Sequence, residues 1–409
     1  MAEPILIIGA GLSGLALAQG LLKHGISFRI FERDEHLSAR SQGYRVRVSD
    51  EGIQALRDCL SQEHFEEFQQ SCALGVSGTN VPSMILDAVT GGKGAALFKS
   101  GGGQAPLPVG NEGEVLSVDR ATARRVLIRG LEPFPEFGKD FQCVKENYAT
   151  GVTVTFRDGS EVHGCALVAA DGAMSRVRQQ VFPSYRLADS GARLIFGKTE
   201  LKVGLMEHLL PEARAGLKLI RSESQKCLYE VMRFDPHRQE TPEDYVYWVL
   251  FLHRDGQDVP DEDLLSSTPA EVLELVRKFT ADWHSGLKCL FLSSSAKAEI
   301  YRIVTSRPHA LPTSSPSAYL RVTLIGDAAH SMAPTAALGA TTALRDAGVL
   351  LEQLLLEAHA STDDRWATGF RSYEDQMEVY ASSALGKSLV GGRVMFGMRS
   401  FEELPALEL

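Results

Sequence analysis

The sequence predicts an α/β protein: a mostly parallel sheet built on an N-terminal β-α-β unit, an inserted antiparallel sheet, and helices toward the C-terminal end. Three observations carry this expectation. The apolar run ILII at residues 5–8 passes directly into GAGLSG. Two later apolar runs end in an acid beside a glycine, at Asp171-Gly172 and at Gly326-Asp327. Between them lie three alternating or apolar runs, ARLIFGKTEL, KCLYEVMRF and YVYWVLFLH, of the kind that pair as antiparallel strands.

Composition sets the outer bounds. At 409 residues, with 44% hydrophobic and 23% charged residues, the chain is long enough for two domains with a large core. Its 42 Lys and Arg against 52 Asp and Glu leave a net charge of −10, which argues against nucleic acid or an anionic lipid surface as partner. Six cysteines are scattered without a CxxC pair, so neither a zinc site nor a disulfide framework is expected, and reduced thiols fit a cytoplasmic location. The N-terminus reads as a strand rather than a signal peptide, and no apolar stretch reaches the roughly 20 residues of a membrane span.

The first element is the most specific. Residues 5–8 form an all-apolar strand, and Gly9, Gly11 and Gly14 follow in GxGxxG spacing. Gly9 allows a tight turn, Gly11 lets the backbone approach a pyrophosphate, and Gly14 lets the following helix pack on the sheet. That helix is expected over Leu15–His24, stopped by Gly25. The next strand, SFRIFERD, places Glu32 and Arg33 at its end, where an acid can bond the ribose hydroxyls of an adenosine. This is a complete Rossmann-like unit, suited equally to NAD or FAD.

Further along, GVTVTFRDGSEV reads as a hairpin, ALVAADGAMSRVR as a strand running into Asp171 and Gly172, and VTLIGDAAH as a strand ending at Gly326 and Asp327. With these three ordered motifs the chain resembles the class A flavoprotein monooxygenases, the para-hydroxybenzoate hydroxylase fold, over essentially its whole length. The resemblance implies non-covalent FAD, its ADP half on Gly9, Gly11, Gly14, Glu32 and Arg33. It implies that Arg120 in LSVDRATARRVL lies near the FAD phosphates, and that the Asp171-Gly172 motif serves both FAD and a passing nicotinamide. Asp327, Pro334 and Gly339 are then expected along the ribityl chain and flavin ring. A helix over about 342–357 is expected to aim its positive end at the reduced flavin, a stabilisation of roughly 0.3–2 kcal/mol. Two positions depart from the family's P-x-x-G-x-G-x-N: Ala337 stands for the first Gly and Thr341 for the Asn. An alanine held at φ > 0 costs on the order of 1 kcal/mol or more, so the loop is expected either to carry strain or to run differently.

By the same resemblance, residues 1–75, 111–180 and 306–360 make the FAD-binding domain, 76–110 and 181–305 the substrate domain, and 361–409 a C-terminal helical segment. No second GxGxxG unit appears, so NAD(P)H is expected as a transient co-substrate. The isolated Trp248, Trp283 and Trp366 lack the halogenase WxWxIP pattern. His330 is expected to serve a structural hydrogen bond, and no metal-ligand spacing occurs. The expected activity is NAD(P)H-consuming insertion of one oxygen from O2, by way of a C4a-hydroperoxyflavin, into an electron-rich aromatic, indole or polyketide-like small molecule. Baeyer–Villiger oxidation and a non-redox cyclase or isomerase are the alternatives. Catalytic candidates are Arg47, in the segment QGYRVRV that resembles the family's active-site strand, and Arg193, on a face shared with Ile195, Gly197 and Thr199. Tyr229 and Arg233 share a face of the next strand and Trp248 lies on the third; one of these sheet faces is expected to look into the pocket, and the strand pattern does not say which.

Overall fold

The computed structural model describes residues 3–37, 44–74, 84–94, 113–147, 151–238, 241–256, 260–308, 311–313, 319–357 and 365–407. The glycine-rich segment 99–108 and most of the insert 76–110 lie outside these residues.

Ile5–Ile8 is fully sequestered because strands lie on both sides of it. The parallel sheet runs in the order Val322–Leu324, Ala166–Ala169, Ile5–Ile8, Phe28–Phe31, Pro135–Glu136. Its strand ends therefore bring the glycine turn and both acid–glycine motifs to one end of the sheet, although they are spread over more than 300 residues of sequence. The first helix spans Leu12–Lys23, starting inside the glycine motif rather than after it, with Gly11 in extended conformation before its first turn. Its Gln19 side chain donates to the Leu127 and Arg129 carbonyls, tying it to the helix Arg120–Ile128.

The second layer is a six-stranded sheet ordered Lys297–Thr305, Ala188–Glu200, Tyr245–His253, Lys226–Met232, Leu217–Arg221, Met84–Asp87, antiparallel except for the last pair. The three runs singled out in sequence are its central strands. One face packs on helices Pro269–Phe279 and Ser285–Leu292 to form a core of its own, with Trp248, Tyr229, Trp283 and Phe291 buried in it. The other face turns toward the parallel sheet. A short ribbon, Arg45–Ser49 paired with Val115–Asp119, lies between the two layers. Asp119 joins them: its Oδ1 accepts from the Thr122 N–H at the start of the helix, and its Oδ2 accepts from Lys198 Nζ on the large sheet at 3.0 Å.

Two long helices complete the fold, Gly339–Glu357 and Arg365–Phe396, packed against one another. Among the described residues no helix is long and apolar enough to cross a membrane.

Candidate active site

The glycine loop has no room for side chains. A Cβ on Gly9, whose φ is +108°, would meet the Ala170 carbonyl oxygen at 2.4 Å, and one on Gly14 would meet the Gly9 oxygen at 2.1 Å. Gly11 differs: the nearest atom to a Cβ there is 4.0 Å away, because it opens on a cavity of about 660 Å³. The same cavity is lined by Gly9, Glu32, Arg33, Arg120, Asp171 and Gly172, so seven of the residues expected to hold cofactor come together there. Arg124, Arg125, Lys139 and Arg176 add positive charge to its wall. Glu32 is buried, and its carboxylate accepts from the Ala10 N–H at 2.9 Å and the Asp34 N–H at 3.1 Å, which fixes it across the mouth of the glycine turn. Asp171 Oδ2 accepts from the Arg176 N–H, whereas its buried Oδ1 has no hydrogen-bond partner. Burial pushes the Asp171 carboxyl above its ordinary pKa.

At the third motif the strand Val322–Leu324 turns through Gly326, at φ +64°, into the short helix Asp327–His330. Asp346 holds this turn. Its carboxylate accepts from the Gly326 N–H at 2.6 Å, pairs with His330 Nε2 at 2.6 Å and accepts from the Tyr380 hydroxyl at 2.7 Å. Burial works against charge on the His330 ring, but the Asp346 carboxylate outweighs it and raises the imidazole pKa. His330 thus has the structural role expected of it. The long helix starts at Gly339, three residues ahead of the expected Thr342. Ala337 is the one non-glycine residue with positive φ among those described, at +53°. The loop therefore keeps a left-handed turn where the family has glycine. Thr341 Oγ1 accepts from the Ser49 N–H at 3.0 Å, so its side chain is spent in anchoring the interlayer ribbon.

Asp327, Pro334, Ala337 and Gly339 line a second cavity of about 270 Å³. It shares Gly11, Arg120, Ala170 and Gly172 with the first, so the two lie side by side. Its other walls include Arg45 and Arg47 from the ribbon and Phe196 and Tyr247 from the large sheet.

Here the expectation of Arg193 as a catalytic residue needs correcting. Arg193 does not line this cavity. Its guanidinium is fully buried between Asp189 and Asp261, at 2.8 and 2.5 Å. Burial opposes its charge, yet the two carboxylates raise its pKa above the ordinary arginine range. Ile195, Gly197 and Thr199 share its side of the strand; Trp248 occupies the space over Gly197 and donates to Thr199 Oγ1. Tyr229, opposite Trp248 in the ladder, also points into the second core. The next residues along, Phe196, Tyr247 and Glu230, occupy the inward face, as strand alternation requires. Sequence reading missed Arg45, Tyr247, Glu230 and Asp346. Arg45 had a signal, since it lies two residues from Arg47; Glu230 and Asp346 had none.

A sequence family described as FAD binding domain matches residues 135–384, and one described as NAD(P)-binding Rossmann-like domain matches residues 7–69. The chain belongs to the class A flavoprotein monooxygenases. Among its relatives in this family, the dual O-methyltransferase/FAD-dependent monooxygenase elcB of Phaeosphaeria nodorum is 34% identical over 99% of this chain. The chain spans about half, 47%, of that relative's length. The FAD-dependent monooxygenase phnB of Penicillium herquei is 25% identical, over 99% of this chain and 94% of its own. A putative FAD-containing monooxygenase from Photorhabdus luminescens superposes with a TM-score of 0.75 at 26% identity, covering 96% of this chain and 99% of that one. FAD, the cofactor of class A monooxygenases, fits the site. The glycine cradle admits a pyrophosphate, the cationic wall matches its charge, and the orphan Asp171 oxygen awaits a donor.

Proposed function

We propose that the protein catalyses NAD(P)H-dependent insertion of one oxygen atom from O2 into an electron-rich aromatic, indole or polyketide-like small molecule. The observation that carries this reading is the pair of adjoining cavities, one at the glycine turn and one at the Pro334–Gly339 loop, the second walled in part by Phe196 and Tyr247 of the large sheet. In this reading Gly9, Gly11, Gly14, Glu32 and Arg33 hold the adenosine half of FAD, Arg120, Asp171 and Gly172 its central part, and Gly326, Asp327, Pro334 and Gly339 its flavin end. The domain division is 1–75, 111–180 and 306–360 for cofactor, and 76–110 and 181–305 for substrate. Bound FAD supplies the redox centre and the site of O2 activation.

The chain's own residues position and enclose the reactants. The start of helix Gly339–Glu357 offers the positive end of its dipole. Phe196 and Tyr247 supply aromatic walls that keep water from the reacting atoms. Relatives that join an O-methyltransferase to the monooxygenase support an oxygen-bearing substrate. A cytoplasmic location belongs to the same reading, supported by six free cysteines.

The test is a substrate screen of FAD-loaded protein under ¹⁸O₂ with NADPH, read by mass spectrometry. One ¹⁸O atom per product with matched NADPH oxidation is expected. A product isomeric with its substrate, formed without NADPH oxidation, would overturn the reading in favour of a non-redox isomerase.

A further inference from the structure

Near its C-terminal end the helix Arg365–Phe396 carries Gly391 and Gly392 in succession, although glycine is the poorest helix former after proline. Both are buried, and each permits a close approach. A Cβ on Gly391 would meet Thr335 Cβ and Oγ1 at 2.9 Å, and one on Gly392 would meet Met398 Sδ at 2.7 Å. Met398 is brought there by a reversal of the chain at Gly397, whose φ is +73° and whose N–H donates to the Arg393 carbonyl at 3.1 Å.

Thr335 belongs to the Pro334–Gly339 loop, and its contact with the helix is reciprocal. Thr335 Oγ1 donates to the Ser388 carbonyl at 2.7 Å, and the buried Ser388 hydroxyl donates to the Ala333 carbonyl at 2.7 Å. The two bonds straddle Pro334, which lines the smaller cavity together with Met332 and Ala337. A strained backbone persists only where its surroundings over-determine it, and the left-handed Ala337 lies two residues beyond this clamp.

The end of the same helix is gripped by the large sheet. Lys226 Nζ donates to the Val394 and Met395 carbonyls at 2.6 and 3.0 Å, satisfying acceptors that a helix end leaves open. The Phe396 ring stacks on Phe251, with centroids 6.5 Å apart and 17° between the planes. Lys226 and Phe251 are opposite one another in the ladder, on the face that carries Tyr247 four residues earlier. The face that walls the cavity therefore also holds the helix end. From Ser388 to Met395 the helix rises about 10 Å, a short rigid strut between loop and sheet.

We propose that Ser388 and Gly391, with Thr335, form a clamp that sets where the flavin loop lies, and that Lys226 ties this clamp to the sheet walling the substrate space, so that the two sides of the site keep one spacing. This rests on the reading that places the flavin end of FAD at the Pro334–Gly339 loop, and it assigns residues of the C-terminal helix and the sheet to that site. None of the four lines either cavity. They are positioning residues, acting on the flavin through the loop.

The experiment uses FAD-loaded protein and reads the visible circular dichroism and reduction potential of the bound flavin, the FAD dissociation constant and thermal unfolding. Thr335→Val keeps the side-chain shape and removes the hydroxyl; it is expected to weaken FAD binding about two- to tenfold and to alter the flavin dichroism, and Thr335→Ser should restore both. Gly391→Ala should alter the dichroism although every hydrogen bond of the clamp remains available, and Lys226→Met should do so from the sheet side. Wild-type dichroism, potential and FAD affinity in Thr335→Val, even with a lowered unfolding temperature, would overturn the proposal and leave the contact a structural one. An unaltered flavin signal in Lys226→Met would overturn the link to the sheet. Ala337→Asn separates this from the placement of the flavin, because Ala337 lines the cavity itself and asparagine tolerates a left-handed backbone. An unaltered flavin signal in Ala337→Asn would overturn the placement; an altered one there, with none in the Thr335 and Gly391 variants, would overturn the clamp alone.

Discussion

His330 Nε2 lies 2.6 Å from Asp346 Oδ2, with both side chains wholly buried, and the same carboxylate oxygen accepts from the Gly326 N–H. One acid on the long helix thus fixes the turn that presents Asp327 to the cavity. Replacing it by asparagine removes the charge that His330 and Tyr380 face. Asp346→Asn is expected to cost about 3–5 kcal/mol, the usual penalty for breaking a buried pair from one side. Thermal unfolding and flavin content should fall together; a stable variant with full flavin would show that Asp346 does not hold the turn.

The pair also carries a pH signature. The folded pKa of His330 is raised above the unfolded value of about 6.5, so folding stabilises the protonated ring. That contribution is complete below about pH 6.5 and is lost as pH rises through the folded pKa. Chemical denaturation across this range should show stability declining with pH in the wild type and a flatter profile in His330→Gln. Parallel slopes in the two proteins would contradict the assignment.

Ala337 adopts φ +53° where glycine is the natural occupant. The left-handed conformation costs alanine about 1–2 kcal/mol, whereas glycine loses about 0.4–1 kcal/mol through the greater freedom of its unfolded chain. Ala337→Gly should therefore stabilise by up to about 1 kcal/mol, read as a shift of the denaturation midpoint without a change of slope. A destabilised variant would mean that the alanine methyl group makes packing contacts worth more than the strain.

Glu32 bridges the Ala10 and Asp34 N–H groups at the cavity mouth. Glu32→Ala removes charge-assisted hydrogen bonds of about 1.5–3 kcal/mol each and should weaken FAD binding about tenfold or more. Equilibrium dialysis of flavin would reveal this, and an unchanged dissociation constant would take Glu32 off the cofactor-holding surface.

Arg193 separates stability from chemistry. Arg193→Gln leaves Asp189 and Asp261 with only the partly exposed Arg254 and Arg302 as cationic partners and is expected to lower stability by about 1–3 kcal/mol. Turnover per flavin-loaded molecule should stay near the wild-type value. A hundredfold loss of turnover in well-folded, flavin-replete protein would return Arg193 to the active site.

Local patterns in the chain were sufficient for the parts of the fold that depend on neighbours in sequence. ILII followed by GAGLSG specifies a strand, a turn without Cβ atoms and a helix within a few residues, and Glu32 comes at the end of the very next strand. The Asp171-Gly172 and Gly326-Asp327 motifs are legible for the same reason, and with them the family and its cofactor. Strand alternation in the large sheet was equally legible, but its direction was not. Phe196 and Arg193 obey the same period of two, and only packing decides which face meets the cavity: Trp248 fills the side bearing Gly197 and commits Arg193, Thr199 and Tyr229 to the other core. Long-range charge pairing was likewise invisible. Arg47 and Glu230 are 183 residues apart, as Asp346 is 16 from His330, and nothing in either local pattern names its partner. Such pairs exist because burial makes an uncompensated charge costly, a condition imposed by the assembled layers and absent from the isolated strand.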